Sequence, residues 1–446
     1  MSKVILLAGL GFGDEGKGSV VSYLSQTAPI AQATLVVRFS GGAQCGHNVV
    51  TNSGAHHTFA QFGSGTFSGA KTHLSRHMLV NPLNLLNEAQ ALEVHGFTPT
   101  NLITIEREAL VTNFFQVLAN RAREAQRGAG RHGSCGLGIG ETVSDALQYP
   151  DKALRVGDLQ DRELTREKLK FSLYLKRSEF GDTPEGITTV VPFSDERLDY
   201  YVDLYADFAK RYQIVDRQYL EQQLKEEGTT IFEGAQGVLL DQDFGFHPHT
   251  TWSDTTFGNA MDLLKGFDGP VRKIGVLRGY MTRHGAGPFP TEILLPNAGI
   301  QTDLHNKWGE FQQHFRLGHF DAPLARYALE VIGGVDELAI TNLDKLGTNP
   351  QICTRYWRTR TEGGEWPVTV PTTLKVKRPT NLEHQTELAR ILEDEILPQY
   401  ETLPDRASIV DRIAQELDTP VTICSIGPRT KDKWPTQYLR DAPWSY

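Results

Sequence analysis

Three glycine-rich segments carry side chains suited to work on phosphorylated substrates. The first runs Gly9-Leu10-Gly11-Phe12-Gly13-Asp14-Glu15-Gly16-Lys17-Gly18. Its Gly11-x4-Gly16-Lys17 spacing is that of a phosphate-binding loop. Glycines let backbone N–H groups turn onto phosphate oxygens, and the following helix points its positive end at them. Lys17 would supply a point charge. The next residue is Gly18, not the Ser or Thr that ligates Mg²⁺ in such loops, so Asp14 is the candidate to take over the metal. The bland reading is a glycine turn between strand and helix. A preceding apolar run and Gly-Lys at this offset favour phosphate.

The second segment is Gly41-Gly42-Ala43-Gln44-Cys45-Gly46-His47-Asn48. A histidine in a glycine-rich loop is placed to face a ligand rather than a core. The third is Phe232-Glu233-Gly234-Ala235-Gln236-Gly237, followed by Asp241, Asp243 and Thr250-Thr251-Trp252-Ser253-Asp254-Thr255-Thr256. There the Gln236 amide can read a base or sugar edge and the hydroxyls can hold a phosphate. Alone, this stretch reads equally as a capped, turn-rich loop. His247 and His249 flank Pro248 without a third ligand at sensible spacing, so they read as a surface loop, as do His56 and His57.

These loops need a scaffold. Short apolar runs at Val4–Ala8, Thr34–Phe39, Thr230–Phe232, Ile274–Leu277, Leu338–Thr341 and Val421–Cys424 are each followed within two residues by Gly, Asn, Asp or Ser. That is the pattern of parallel strands buried on both faces, with functional loops at their C-terminal ends. Helical stretches such as Pro323–Ile332 and Leu382–Ile396 lie between them, and residues 195–227 are charged with a helical rhythm. Strands alternating with helices predict an α/β fold with a large, doubly wound, mostly parallel central sheet. No Pro/Ser-rich hinge divides the chain, so residues 1–446 are expected to form a single domain with helical insertions.

Composition narrows the partners. Lys and Arg total 45 against 54 Asp and Glu, a net charge of −9, which disfavours a nucleic-acid coat. Cys45, Cys135, Cys353 and Cys424 are far apart, arguing against a disulfide framework or structural zinc. The apolar run Val4–Leu10 is too short for a secretion signal or membrane span. The expectation is a cytoplasmic protein that binds neither membrane nor nucleic acid.

Taken together, the ordered segments resemble the adenylosuccinate synthetase family. They are Gly11–Gly18, Val37–Val49, Gly63–Ser68, Gly136–Gly140, Leu154–Leu159, Phe232–Asp243, Thr282–Glu292, Thr341–Leu346 and Ser425–Pro428. The resemblance implies a P-loop-like GTP site and a GTP-dependent C–N ligase. It would phosphorylate the 6-oxo group of IMP and couple it to L-aspartate, giving adenylosuccinate, GDP and phosphate. Asp14 would be the base and a Mg²⁺ ligand, His47 the acid, and the Gly46 carbonyl a second ligand. Gly13, Glu15, Gly16, Lys17 and Gly18 would hold GTP phosphates. Asp344, with Lys345, Ser425 and Gly427, would receive the guanine, whose two-donor edge suits a carboxylate. Gln44, Cys135, Gln236 and Thr251 match monophosphate contacts, and Arg316 the amino-acid pocket. The resemblance also implies a homodimer.

The departures cluster. Gly11-Phe12 replaces a Gln-Trp pair, Gln44 an Asn, Cys135 a Thr that holds the monophosphate, and Leu137 an Arg. An arginine that crosses the dimer interface has no clear match; Lys152 is the nearest cation, and Arg155 matches a different arginine. The arginine-rich aspartate loop falls at Trp308–Asp321, where only Arg316 is a Lys or Arg. The GTP and phosphoryl-transfer parts are thus kept, while the monophosphate and amino-acid pockets are rewritten. The alternatives are a paralogue using another purine monophosphate or amine, or a phosphotransferase or GTP-binding regulator. Viral relatives that use dGMP alter the loop acid, whereas Asp14 is kept here.

Overall fold

The computed structural model describes residues 1–28, 33–130, 132–181, 195–294, 300–301, 314–360 and 368–437. Its centre is a ten-stranded sheet. In chain order the strands are β1 (Lys3–Gly9), β2 (Ala33–Arg38), β3 (Lys71–Leu74), β4 (Ile103–Glu106) and β5 (Gln213–Val215). They continue with β6 (Gly228–Glu233), β7 (Val271–Arg278), β8 (Glu337–Thr341), β9 (Val421–Ser425) and β10 (Lys433–Pro435). Across the sheet the order is β10-β9-β8-β7-β1-β6-β2-β3-β4-β5, and every pair is parallel except β9 with β10.

The six apolar runs are β1, β2, β6, β7, β8 and β9, which form the contiguous centre of the sheet. Each alternates its side chains between two cores. Leu7, Val36, Ile231 and Val276 pack on one face with Val20 and Val21 of the helix Lys17–Thr27. Leu6, Val37, Phe232 and Leu277 pack on the other, with the helices Ala322–Ile332 and Arg406–Leu417. A further core joins β3 and β4 to the helices Phe114–Arg127, Arg162–Phe180 and Asp195–Arg211.

From β1 the chain moves to β2 on one side of the sheet and returns later to β7 and β8 on the other. The crevice at the carboxyl ends of β1 and its neighbours is therefore where such a fold binds ligands.

Three expectations are corrected. Residues 195–227 are not continuously helical: β5 separates Asp195–Arg211 from Gln218–Lys225. The helix expected through Ile396 ends at Asp394, because Ile396 opens a strand that pairs antiparallel with Arg358 in a second sheet. His56 and His57 lie on a strand, not a loop, and pair with Val50 and Val49. The His57 ring packs edge-on against Phe59, so alternation turns it inward. Among the described residues no helix is long and apolar enough to cross a membrane.

Candidate active site

The loops at the ends of the central strands are conformationally special. Among the described residues four non-glycine residues have positive φ; three are Asp14 (59°) after β1, Gln236 (57°) after β6 and Asn342 (55°) after β8. Left-handed backbone is uncommon for side-chain-bearing residues and clusters at ligand sites. The surroundings hold Asp14 in place. The Arg278 Nε donates to its carbonyl at 2.5 Å, and the Thr341 hydroxyl donates to the next carbonyl, of Glu15, at 2.5 Å.

Gly13 (φ 90°) and Gly16 (φ 87°) let the loop curl around the Glu15 carboxylate. That carboxylate accepts the N–H groups of Gly11 at 3.0 Å and Gly13 at 2.8 Å, and pairs with the Lys17 ammonium at 2.6 Å. Loop amides and lysine thus converge on one buried anion, the ligand geometry expected of a phosphate loop. A Cβ on Gly237 would lie 2.2 Å from the Gly11 carbonyl oxygen, so the loop after β6 packs backbone to backbone on this cradle.

Gly18 also has a steric reason. A Cβ there would meet the His47 Cβ at 2.7 Å and the Ser64 Oγ at 2.8 Å. The space a metal-ligating Ser or Thr would need is filled by the histidine loop, which places His47 against the first turn of the phosphate-loop helix.

The His47 Nδ1 lies 2.6 Å from the Glu233 Oε1, and the Glu233 Oε2 accepts the Ser64 N–H at 2.9 Å. The Ser64 hydroxyl also donates to Glu233. Burial alone would raise the Glu233 pKa; the His47 ring, Arg38 and Ser64 reverse this and hold it at about 2. Burial pushes the His47 pKa down, and Arg38 and Lys17 add to that against the opposing pull of Glu233. A neutral ring donating Nδ1–H to Glu233 carries its lone pair on Nε2, which is buried and has no partner among the described residues.

On the other side of the loop the Asp14 Oδ2 lies 2.9 Å from the His284 Nε2. Burial works to raise the Asp14 pKa, but His284, Arg278 and Lys17 outweigh it, so the carboxyl sits below its ordinary value. Among the described residues no group of three His, Cys, Asp or Glu side chains can hold a metal by itself. Mg²⁺ is commonly bound by one or two protein oxygens, with phosphates and waters completing the shell. The Asp14 carboxylate and the carbonyl of exposed Gly46 are hard oxygen donors of that kind.

The loops that carry two of the expected monophosphate contacts, Gln44 and Gln236, also meet. A Cβ on Gly41 would lie 2.7 Å from the Ala235 Cβ, and one on Gly42 would lie 2.7 Å from the Ile139 Cδ1. This brings the Gln44 loop against the Gln236 loop and against the helix Ile139–Gln148 that follows Cys135. Both amide atoms of Gln44 and the Gln236 Oε1 are buried without a partner among the described residues. Burial pushes the Cys135 thiol up to about 11, so at this position it is a neutral, weak donor. Thr251 is half-buried, with its N–H on the Leu240 carbonyl at 2.8 Å.

Asp344 follows β8, Ser425 ends the neighbouring β9, and Gly427 follows it. Burial raises the Asp344 pKa against Lys345, whose ammonium lies 3.7 Å away, and Lys433. Arg316 is already engaged. Its Nε donates to Glu292 at 2.9 Å, its Nη2 donates to the same carboxylate, and its Nη1 donates to the Gly285 and Gly287 carbonyls at 3.1 and 2.8 Å. Of the aspartate-loop segment Trp308–Asp321, residues 308–313 lie outside the described residues. Lys152 is exposed and pairs with Glu167 at 2.7 Å, while Arg155 donates to the Glu108 carbonyl.

Sequence reasoning missed the partners of its own candidates. Glu233, Ser64 and His284 lay inside recognised segments without an assigned role. Arg278 and Lys433 join the site only through pairing between distant strands.

Fold and loops together define a doubly wound α/β protein with nucleotide-type loops at its strand ends. The sequence profile of the adenylosuccinate synthetase family matches residues 6–434. The adenylosuccinate synthetase of Pelodictyon phaeoclathratiforme is 32% identical over 455 aligned positions, covering 95% of each chain. The chain therefore belongs to the adenylosuccinate synthetase family, GTP-dependent ligases that form a C–N bond. In fold it is similar to fully ligated adenylosuccinate synthetase from Plasmodium falciparum (TM-score 0.77, 22% identity, covering 97% of this chain and 99% of that one). It is also similar to the cyanophage S-2L succinoaminodeoxyadenylate synthetase bound to dGMP and dATP (TM-score 0.57, 16% identity, covering 98% of this chain and 96% of that one).

Proposed function

We propose that the chain joins IMP to L-aspartate with GTP as phosphoryl donor, giving adenylosuccinate, GDP and phosphate. The observation that carries this reading is His47: backed by Glu233, bare at Nε2, and packed against the start of the phosphate-loop helix. In this reading Asp14 takes the proton from purine N1, and the electron pair moves to O6. O6 attacks the γ-phosphorus of GTP while GDP departs. The aspartate amine then attacks C6, the 6-phosphoryl group leaves as phosphate, and the nitrogen loses a proton.

Phosphates arriving opposite the bare Nε2 draw a proton onto it, and the imidazolium then answers the charge that grows on the bridging oxygen. Glu233 supports that change because it remains a carboxylate behind the ring. Mg²⁺, when bound, would be held by the Asp14 carboxylate and Gly46 carbonyl and would neutralise charge on the phosphoryl oxygens. The Gly11–Gly18 loop would orient the triphosphate, and Gln44, Cys135, Gln236 and Thr251 the monophosphate. A homodimer belongs to the same proposal.

A second reading, a different amine or purine monophosphate, is favoured by one observation: Arg316 is committed to Glu292 and two carbonyls. An amine bearing two carboxylates wants free bidentate arginines. The test is GTP-dependent phosphate release with IMP, dIMP, GMP or dGMP, each with and without aspartate, with products followed by mass. Release that requires IMP and aspartate, with a succinyl adduct, supports the first reading. Release with an acceptor but no response to aspartate sinks it in favour of the second.

A further inference from the structure

Lys433 opens β10, at the end of the sheet, and its side chain reaches back to the loop before it. It is 6% exposed, which is unusual for a lysine. Its ammonium donates to three consecutive carbonyls: Gly427 at 3.2 Å, Pro428 at 3.1 Å and Arg429 at 3.1 Å. An ammonium has three donors, so this set satisfies it fully.

The same loop is held from its amide side by Asp432. The Asp432 carboxylate accepts the Arg429 N–H at 2.8 Å, and its carbonyl accepts the Ile426 N–H at 3.0 Å. A Cβ on Gly427 would lie 2.7 Å from the Asp432 Oδ2, so loop and brace are in contact. The Ser425 hydroxyl donates to the Gly427 carbonyl at 2.8 Å, tying the end of β9 into the unit.

The charge of Lys433 is also felt in the neighbouring loop. Strands β8 and β9 are paired in parallel through Ile340 and Cys424, which sets the Asp344 loop beside the Ser425 loop. Burial pushes the Lys433 pKa down to about 8, against the opposing pull of Asp432 and Asp344. In return, the lysine favours the ionised form of Asp344 against burial.

We propose that Lys433 is the positioning residue for base selectivity in the nucleoside triphosphate site. It fixes the Gly427–Arg429 turn beside Asp344, so that the carboxylate meets two adjacent N–H donors on the base edge. This rests on the assignment of Asp344 and the Ser425 loop to the base of GTP. Without Lys433, three carbonyls lose their donor, the turn rearranges, and Asp344 loses a neighbouring cation.

The experiment compares kcat/KM for GTP with that for ITP, which lacks the second N–H donor, in the full chain carrying Lys433→Met, with Asp344→Asn alongside. The expected result is a GTP-to-ITP preference reduced on the order of tenfold, the worth of one misplaced hydrogen bond. The loss should enter through KM for GTP, with kcat at saturation and KM for IMP unchanged. An unchanged preference in Lys433→Met, with a lost preference in Asp344→Asn, overturns the role of Lys433 and leaves the base assignment standing. An unchanged preference in Asp344→Asn overturns the base assignment and the Lys433 role with it. If Lys433→Met does not fold, Lys433→Arg is read in the same way. Its planar fork does not satisfy three convergent carbonyls, so reduced preference supports the proposal and unchanged preference overturns it.

Discussion

The His47 Nδ1 is 2.6 Å from the Glu233 Oε1, across a sequence separation of 186 residues. The contact fixes the tautomer of His47 and aims its free nitrogen. Glu233 closes β6, and His47 opens the small hairpin strand His47–Val50. Replacing Glu233 by Gln keeps the size of the side chain but removes the charge behind the ring. Turnover of Glu233→Gln should fall by about 10²- to 10⁴-fold, the usual worth of a positioned acid or base and its orienting partner. His47→Ala should abolish it. Steady-state phosphate release with melting curves checks both. A Glu233→Gln protein with most of its turnover would remove the pair from the mechanism.

The same carboxylate makes stability depend on acid. Its pKa is depressed from the ordinary 4.5 to about 2 in the folded chain. Between those values the unfolded chain binds more protons, so the stabilisation is complete above the upper value and fades as pH falls toward the lower. For a fully buried group this amounts to about 3 kcal/mol at pH 7 and about 1 kcal/mol at pH 3. Urea unfolding of the unsubstituted chain and Glu233→Gln should show the difference between them shrinking across that interval. A constant difference would mean that Glu233 is not held ionised.

The legibility of the sequence followed burial. A central strand such as β1 is apolar on both faces, so Val4–Ala8 appears as an unbroken run. Strand β3, Lys-Thr-His-Leu, carries Thr72 and His73 inward, and β10 holds a buried lysine, so neither shows an apolar run. Within the site, local chemistry was readable: glycines, Asp14, Lys17 and His47 stand in short motifs. Pairings were not, because the His284–Asp14 contact joins residues 270 positions apart through strand order alone. Gly18 was legible as a departure, and its cause emerged only when His47 and Ser64 were seen to fill the adjoining space.

Asp14 joins a chemical demand to a backbone one. Its φ is 59°, and its carboxylate is held below its ordinary pKa, against burial, chiefly by His284. Asn tolerates left-handed backbone better than Ala does, so Asp14→Asn removes the base while keeping the turn. Its turnover should drop at least about 10²-fold, as for loss of a general base. Asp14→Ala should lose turnover too and should also be less stable than Asp14→Asn by about 1 kcal/mol from the backbone term. Parallel activity assays and denaturant titrations separate the two effects. Equal stabilities would show that the turn is not strained at this residue.

Gly18→Ser restores the hydroxyl found at this position in many phosphate-binding loops, and here it should do harm. The added Cβ meets the His47 Cβ at 2.7 Å, and that atom carries the ring that Glu233 aims. The Ser64 Oγ, which would also be displaced, is itself a donor to Glu233. Overpacking of this kind costs about 1–3 kcal/mol. It should also misalign His47, so turnover should fall further than the loss of stability explains at a temperature where the variant is folded. Gly18→Ala, which adds the Cβ without the hydroxyl, should behave alike, separating sterics from metal binding. Measuring both variants at several Mg²⁺ concentrations completes the test. If Gly18→Ser were as active as the unsubstituted chain, or needed less Mg²⁺, His47 would not be packed against the loop as the geometry has it.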